Sequence, residues 1–157
     1  MRLLTLALTF VFALSASAEL VRTAPDFSWP GAGSKNRSLR SLRGQPVVIL
    51  IAASPRTGAF RKQVKWLEDN YSQLAAKGAV FVAAFRAGEG PVKSDIPFIV
   101  ANNGAGVASA YGVEGEFGLA VVGRDGNLDY ITDRVRTGQR VRDLIINNFA
   151  NQAVTRK

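Results

Sequence analysis

The chain has no cysteine and no histidine. Without a thiolate, disulfide exchange and thiol-dependent peroxide reduction are both excluded, because the thiolate is the reacting species in each. Without histidine the usual general base is missing, and with it the Ser-His-Asp and Cys-His arrangements and the commonest zinc ligand. No disulfide can brace the fold, so stability has to come from core packing. No apolar run reaches the roughly 20 residues that a membrane-spanning helix needs. Acids are scarce as well, with 12 Asp and Glu against 20 Lys and Arg and a net charge of +8.

Part of that basic excess is local: Lys35, Arg37, Arg40 and Arg43, then Arg56, Arg61, Lys62 and Lys65, then Arg134, Arg136, Arg140 and Arg142. A basic surface attracts anionic partners through its long-range field. Where those partners are found depends on the first eighteen residues. Arg2, the apolar run Leu3 to Leu14 and the small-residue stretch Ala16-Ser17-Ala18 read as a secretory signal peptide cleaved after Ala18. Residues 19–157 then form one domain of ordinary size, and 47% hydrophobic with 20% charged residues is a globular composition. The expected location is periplasmic or secreted. The basic face reads as a solubilising surface with no dedicated ligand, or alternatively as one for an anionic envelope component or another envelope protein, not nucleic acid. The partner is left open, and no transmembrane segment is expected in the mature form.

Pro46 to Ala53 is a continuous β-branched and apolar run, the pattern of a strand buried on both faces. A turn cluster follows at Ser54-Pro55-Arg56-Thr57-Gly58. Phe60, Val64, Leu67, Tyr71 and Leu74 recur at intervals of four and three, which predicts one helix running to about Lys77, stopped by Gly78. Ala79 to Phe85 reads as a second buried strand, so this half is a βαβ unit with parallel strands. Pro97 to Val100 is a short apolar segment, and Val107 to Tyr111 suits a helical turn or two ended by Gly112. Leu119 to Val122 and Leu128 to Ile131 flank Arg124-Asp125-Gly126-Asn127, a hairpin signal that turns the sheet antiparallel. Thr137 suits an N-cap, with Val141, Leu144, Ile145 and Phe149 on one face of a closing helix. The fold class is α/β: a central mixed sheet, parallel in one half and a β-hairpin in the other, flanked by helices.

Several words of sequence resemble the thioredoxin-like superfamily in its exported resident-thioredoxin and peroxiredoxin branches. Ala24-Pro25-Asp26-Phe27 is similar to their opening motif, and Leu39 to Val48 to the stretch leading into their central strand. Tyr111-Gly112-Val113 through Gly123-Arg124-Asp125-Gly126 resembles their segment ending in a hairpin. The resemblance spans about residues 24–149 and implies a single thioredoxin-like domain. The chain also looks similar to uncharacterised short exported thioredoxin-like domains without cysteines, which share a G-K/R-D-G hairpin and a polar C-terminal tail. The departures lie where the family does its chemistry. Thr57-Gly58-Ala59-Phe60 stands where the reactive cysteine would open the first helix, and Phe117-Gly118 where the family's Pro-Thr pair is expected. The redox activity that the resemblance would imply therefore does not carry over.

The positions left as candidates are few. The loop Ser54 to Gly58 joins a strand end to a helix N-terminus, where ligands gather in α/β sheets. Arg56, Thr57 and Gly58 form a possible anion-binding site there. As alternatives, Thr57 merely caps the helix, and Glu114, Glu116, Asp125 and Asp129 are solvated loop acids. Gly31-Ala32-Gly33-Ser34-Lys35 lacks phosphate-loop spacing and reads as a surface loop. Trp29 and Trp66 are open to a ligand-groove reading, with Trp66 placed at the core edge. No cofactor and no catalytic residue is expected. The leading expectation is a non-redox binding or interaction module. The alternatives are a family member by descent that has lost catalysis or works with a thiol-bearing partner, and an enzyme of unrelated chemistry using loop carboxylates or Arg56 and Thr57.

Overall fold

The computed structural model describes residues 22–87 and 90–154, with backbone alone over 148–154. The expected leader, its cleavage site and the Phe149 side chain lie outside the described residues. Strands β3 (Val47–Ala52), β4 (Val80–Phe85), β5 (Ile99–Val100), β6 (Phe117–Val122) and β7 (Leu128–Thr132) form one sheet in the order β5-β4-β3-β6-β7. β3 pairs parallel with β4 and antiparallel with β6, which itself pairs antiparallel with β7. The mixed sheet expected from the sequence is thus present, and residues 24–147 have the thioredoxin-like layout.

Side chains alternate faces along a strand, so a strand apolar at every position needs a core on each side. β3 satisfies this with two clusters. Val47, Ile49 and Ile51 pack on one face with Val107, Ala108 and Tyr111, while Val48 and Leu50 pack on the other with Phe60, Leu67, Leu74 and Ile145. The first face is covered by α3 (Gly104–Tyr111), and the second by α1 (Gly58–Glu68), α2 (Tyr71–Ala76) and α4 (Gly138–Val154). Gly104 lets α3 lie directly on the sheet, since a Cβ there would fall on the Phe85 backbone. Gly112 ends α3 in the left-handed region at φ 68°, as a helix C-cap glycine does.

Two features differ from the expectation. The single helix to Lys77 is two helices, although Phe60, Val64, Leu67 and Leu74 are all buried and Tyr71 is half-buried. The break falls at Asp69-Asn70, residue types whose side chains compete with the helical backbone, and Asn70 leaves helical geometry at φ −121°, ψ 9°. α4 begins against this break: Gly138 sits so close to the Trp66 carbonyl and the Asn70 amide that a side chain would collide. The other difference is a small antiparallel pair, β1 (Ser28–Pro30) with β2 (Asn36–Ser38), whose turn is the Gly31 to Lys35 stretch. Gly31 N–H donates to Lys35 C=O at 3.0 Å, so that stretch is a surface turn as expected. Its partner strand β1 buries Trp29, 4% exposed, beside Phe27 at 6.0 Å between ring centres. Trp29 is therefore core, not a groove wall.

Thr137 does cap α4, its Oγ1 accepting from Arg140 N–H at 3.2 Å. The opening motif lies beside the hairpin, where Ala24 N–H donates to Gly126 C=O at 3.0 Å and Leu128 N–H to Arg22 C=O at 2.8 Å. Tyr111 donates its hydroxyl to Pro25 C=O at 2.9 Å. Burial pushes the Tyr111 phenol well above its ordinary range, and the nearby Asp26 carboxylate pushes it further the same way.

Candidate functional site

The carboxyl ends of β3 and β4 meet the start of β6 at one edge of the sheet. Backbone bonds continue past the strand ends, from Arg86 N–H to Ala52 C=O at 2.9 Å, Ala87 N–H to Ala53 C=O at 2.8 Å, and Ala53 N–H to Glu116 C=O at 3.2 Å. Three loops are thereby held together, and the Ser54–Gly58 loop is one of them. The Arg86 guanidinium donates to the carbonyls of Glu114 and Gly115, which ties down the loop before β6 and occupies the acceptors it presents.

Within the Ser54–Gly58 loop the polar groups satisfy one another. Ser54 C=O accepts from Thr57 N–H at 3.1 Å, Thr57 Oγ1 accepts from Ser54 N–H at 3.2 Å, and Ser54 Oγ accepts from Arg56 N–H at 3.2 Å. Thr57 stands at the N-cap position of α1 but its side chain makes no cap hydrogen bond, so the capping alternative is corrected. The hydroxyl is turned back to the Ser54 amide instead. The first intrahelical bond of α1 runs from Arg61 N–H to Thr57 C=O at 3.1 Å. The amides of Gly58, Ala59 and Phe60 precede it and carry the partial positive charge of a helix start. Gly58 is exposed, with open space where a Cβ would be, and Arg56 is exposed beside it. The three predicted residues are thus contiguous, but only Arg56 and Gly58 face outward without a turn to hold.

Beside the loop runs a groove of about 930 Å³ between α1 and the 90–93 segment. Phe60 and Val64 form its apolar base and Pro55 and Pro91 contribute to its walls. Arg56, Arg61, Lys65 and Lys93 line it as exposed cations, with Glu68 the one acid among the described residues. Glu68 already accepts from the Ser94 hydroxyl at 2.6 Å, and Ser94 Oγ in turn accepts from Ile96 N–H at 3.0 Å.

The loop acids do not assemble. Glu114 and Glu116 lie exposed before β6; Asp125 lies beyond its other end, about 20 Å away at the rise of a six-residue strand, and Asp129 lies not in a loop but on β7 at the bulge opposite Val121 and Val122. Asp125 serves the hairpin turn, accepting from Asn127 N–H at 3.0 Å and from its side-chain amide at 2.8 Å. Among the described residues no group of three or more Asp or Glu side chains is placed to hold a metal ion. Trp66 is half-buried at the core edge, with Lys62 Nζ 5.0 Å above its ring.

Sequence reasoning missed Arg86, Lys93 and Gln63. Lys93 carries no local signal, since only the fold brings its loop to α1. Gln63 did have one: it lies three residues after Phe60 and four before Leu67, on the apolar face of α1. It is wholly buried, its amide donating to Arg136 C=O and its oxygen accepting from Arg136 N–H, both at 2.7 Å.

The AhpC/TSA family matches residues 21–131. Among solved structures, one described as the thiol:disulfide interchange protein DsbE from Chlorobium tepidum shares 21% identity at a TM-score of 0.68, over 82% of this chain and 96% of that one. Peroxidoxin BcpB from Mycobacterium tuberculosis shares 18% at a TM-score of 0.56, over 87% and 97%. The thioredoxin domain of a thiol-disulfide oxidoreductase from Bacteroides vulgatus shares 15% at 0.61, over 81% and 94%. No curated protein matches the chain. At these identities the likeness to solved structures carries the fold alone.

Proposed function

The chain belongs to the AhpC/TSA family, and from that membership we propose that it is an exported, non-redox binding module on a thioredoxin-like scaffold. The observation that carries the reading is the Ser54–Thr57 turn. At the site where family members place a reactive thiol, this chain has a turn whose hydroxyls are engaged with its own backbone, and no histidine exists to activate them. A scaffold without its reactive group retains its surface, and function resides in sites rather than folds. Its location outside the cytoplasm rests on reading residues 1–18 as a secretory leader.

Arg56 and Gly58, with Thr57 holding the turn between them, supply the minimal ligand site of this reading: an exposed guanidinium beside the first amides of α1, suited to a small anion. Phosphate titrated to millimolar concentration should move the amide NMR signals of Gly58 to Phe60, and Arg56→Gln should shrink those shifts. The effect should weaken as salt rises, because exposed charges are screened within about 10 Å at 0.1 M. Signals that stay still in the parent, or that move alike in both proteins, would leave the loop a plain turn.

Assays for insulin disulfide reduction and for peroxide consumption with any thiol donor should stay at the level of a heat-killed control. Turnover in a preparation free of contaminating reductase would overturn the non-redox reading. Turnover that appears only with a co-purifying cysteine-bearing protein would favour a role dependent on partner thiols.

A further inference from the structure

We propose that the groove between α1 and the 90–93 segment docks a short, extended acidic segment of a partner protein, its acids on the cationic walls. The inference rests on the binding reading above and names the class of ligand.

Charge is the first argument. Ion pairs hold Arg40 to Asp26, Arg134 to Asp133 and Arg142 to Asp143, whereas among the described residues Arg56, Arg61, Lys65 and Lys93 have no such pair. The acid in the groove, Glu68, is held by Ser94. Arg61 and Lys65 stand one helical turn apart, a like-charge spacing that costs the helix a few tenths of a kcal/mol with no anion present. An anionic ligand relieves that repulsion.

Shape narrows the ligand. A single inorganic ion engages one or two of these cations, and about 930 Å³ is far more room than it needs. A bilayer surface is broad and meets the rim of a concave groove without filling it. A peptide does both: it fills the length of the groove, and its carboxylates pair with the cations and steer the encounter. The length agrees, since the 11 residues of α1 span about 16 Å, matched by about five residues of extended chain.

The test is fluorescence anisotropy with a labelled pentapeptide, Glu-Glu-Leu-Glu-Glu, against its counterpart Gln-Gln-Leu-Gln-Gln. The acidic peptide should bind at least about tenfold more tightly, and less so as sodium chloride rises. R61E/K65E should weaken it at least about tenfold, whereas K35E/K77E, an equal charge change at exposed positions away from the groove, should stay within about threefold. All four positions are exposed, and circular dichroism with a denaturant midpoint checks that each variant is folded. Equal weakening by the two double variants, or equal binding of the two peptides, would overturn the proposal. So would binding to phosphatidylglycerol vesicles that is lost in R61E/K65E while the peptide does not bind. If phosphate still moves the Gly58–Phe60 amides and the peptide fails to bind, this inference falls and the binding reading stands; if neither acts, both fall.

Discussion

Phe60→Ala should lower stability by about 3–5 kcal/mol, the loss expected when a buried phenyl is deleted and its site cannot collapse. Phe60 is 2% exposed and lies at the start of α1, with its ring 5.1 Å from that of Phe85 and 6.2 Å from that of Phe98. Phe98 in turn meets Phe81 at 6.0 Å, and Phe81 meets Tyr71 at 5.8 Å. Removing this ring therefore breaks an aromatic chain, from Phe85 through Phe60, Phe98 and Phe81 to Tyr71, that joins α1, α2, β4 and the loop before β5. Thr57→Ala, three residues away, removes one hydrogen bond to the Ser54 amide and should cost about 0.5–1.5 kcal/mol. Urea denaturation of the two variants beside the parent measures both losses. Equal, small shifts in midpoint would mean that the Phe60 ring is not the packing anchor described.

Gln63→Leu should be comparably damaging, at about 2–5 kcal/mol, for an opposite reason. Leucine fills much of the same volume, so little is lost to a cavity. What is lost is the pair of hydrogen bonds that ties α1 to the Arg136 backbone ahead of α4. Leaving a buried N–H and a buried C=O unpaired costs about 1–3 kcal/mol each. Gln63→Glu keeps the acceptor for the Arg136 N–H but has no donor for the carbonyl when ionised, and it should recover part of the loss at low pH, where the carboxyl is protonated. Denaturant midpoints at two pH values, with amide exchange followed at Arg136, check this. A Gln63→Leu protein as stable as the parent would show that the bonds contribute nothing net.

These two residues also mark how far the sequence could be read. The sheet was legible because β3, β4 and β6 are apolar at nearly every position, a pattern that only a doubly covered strand explains. The hairpin was legible from Asp125-Gly126, whose turn chemistry is local. The β1–β2 pair was not, because Ser28-Trp29-Pro30 and Asn36-Arg37-Ser38 are too short to show an alternation and are defined by their pairing alone. The helix break at Asn70 was hidden by the apolar stripe, which continues in phase through it; the packing of Gly138 against the break comes from a residue far along the chain. At the candidate site the position was readable and the chemistry was half readable. The missing cysteine was plain, but the direction of the Thr57 hydroxyl depends on which amide lies closer in three dimensions. The groove needed the fold, since Lys93 and Pro91 meet α1 only through the path of the loop after β4.

The place of β3 at the middle of the sheet has a consequence for the order of events during folding. Its parallel partner, residues 80–85, is separated from it by one crossover through α1 and α2, whereas its antiparallel partner, residues 117–122, arrives only after β4, β5 and α3 have been passed. Loop closure grows dearer with length, and contacts of long sequence separation slow the search. A chain that has formed only the β3–α1–α2–β4 unit therefore presents the second edge of a fully apolar strand to solvent. Such an edge is a template for another chain. Until the β6–β7 hairpin docks, the growing molecule is most exposed to mispairing at Val47 to Ala52, the same segment that is most deeply protected once the sheet is closed.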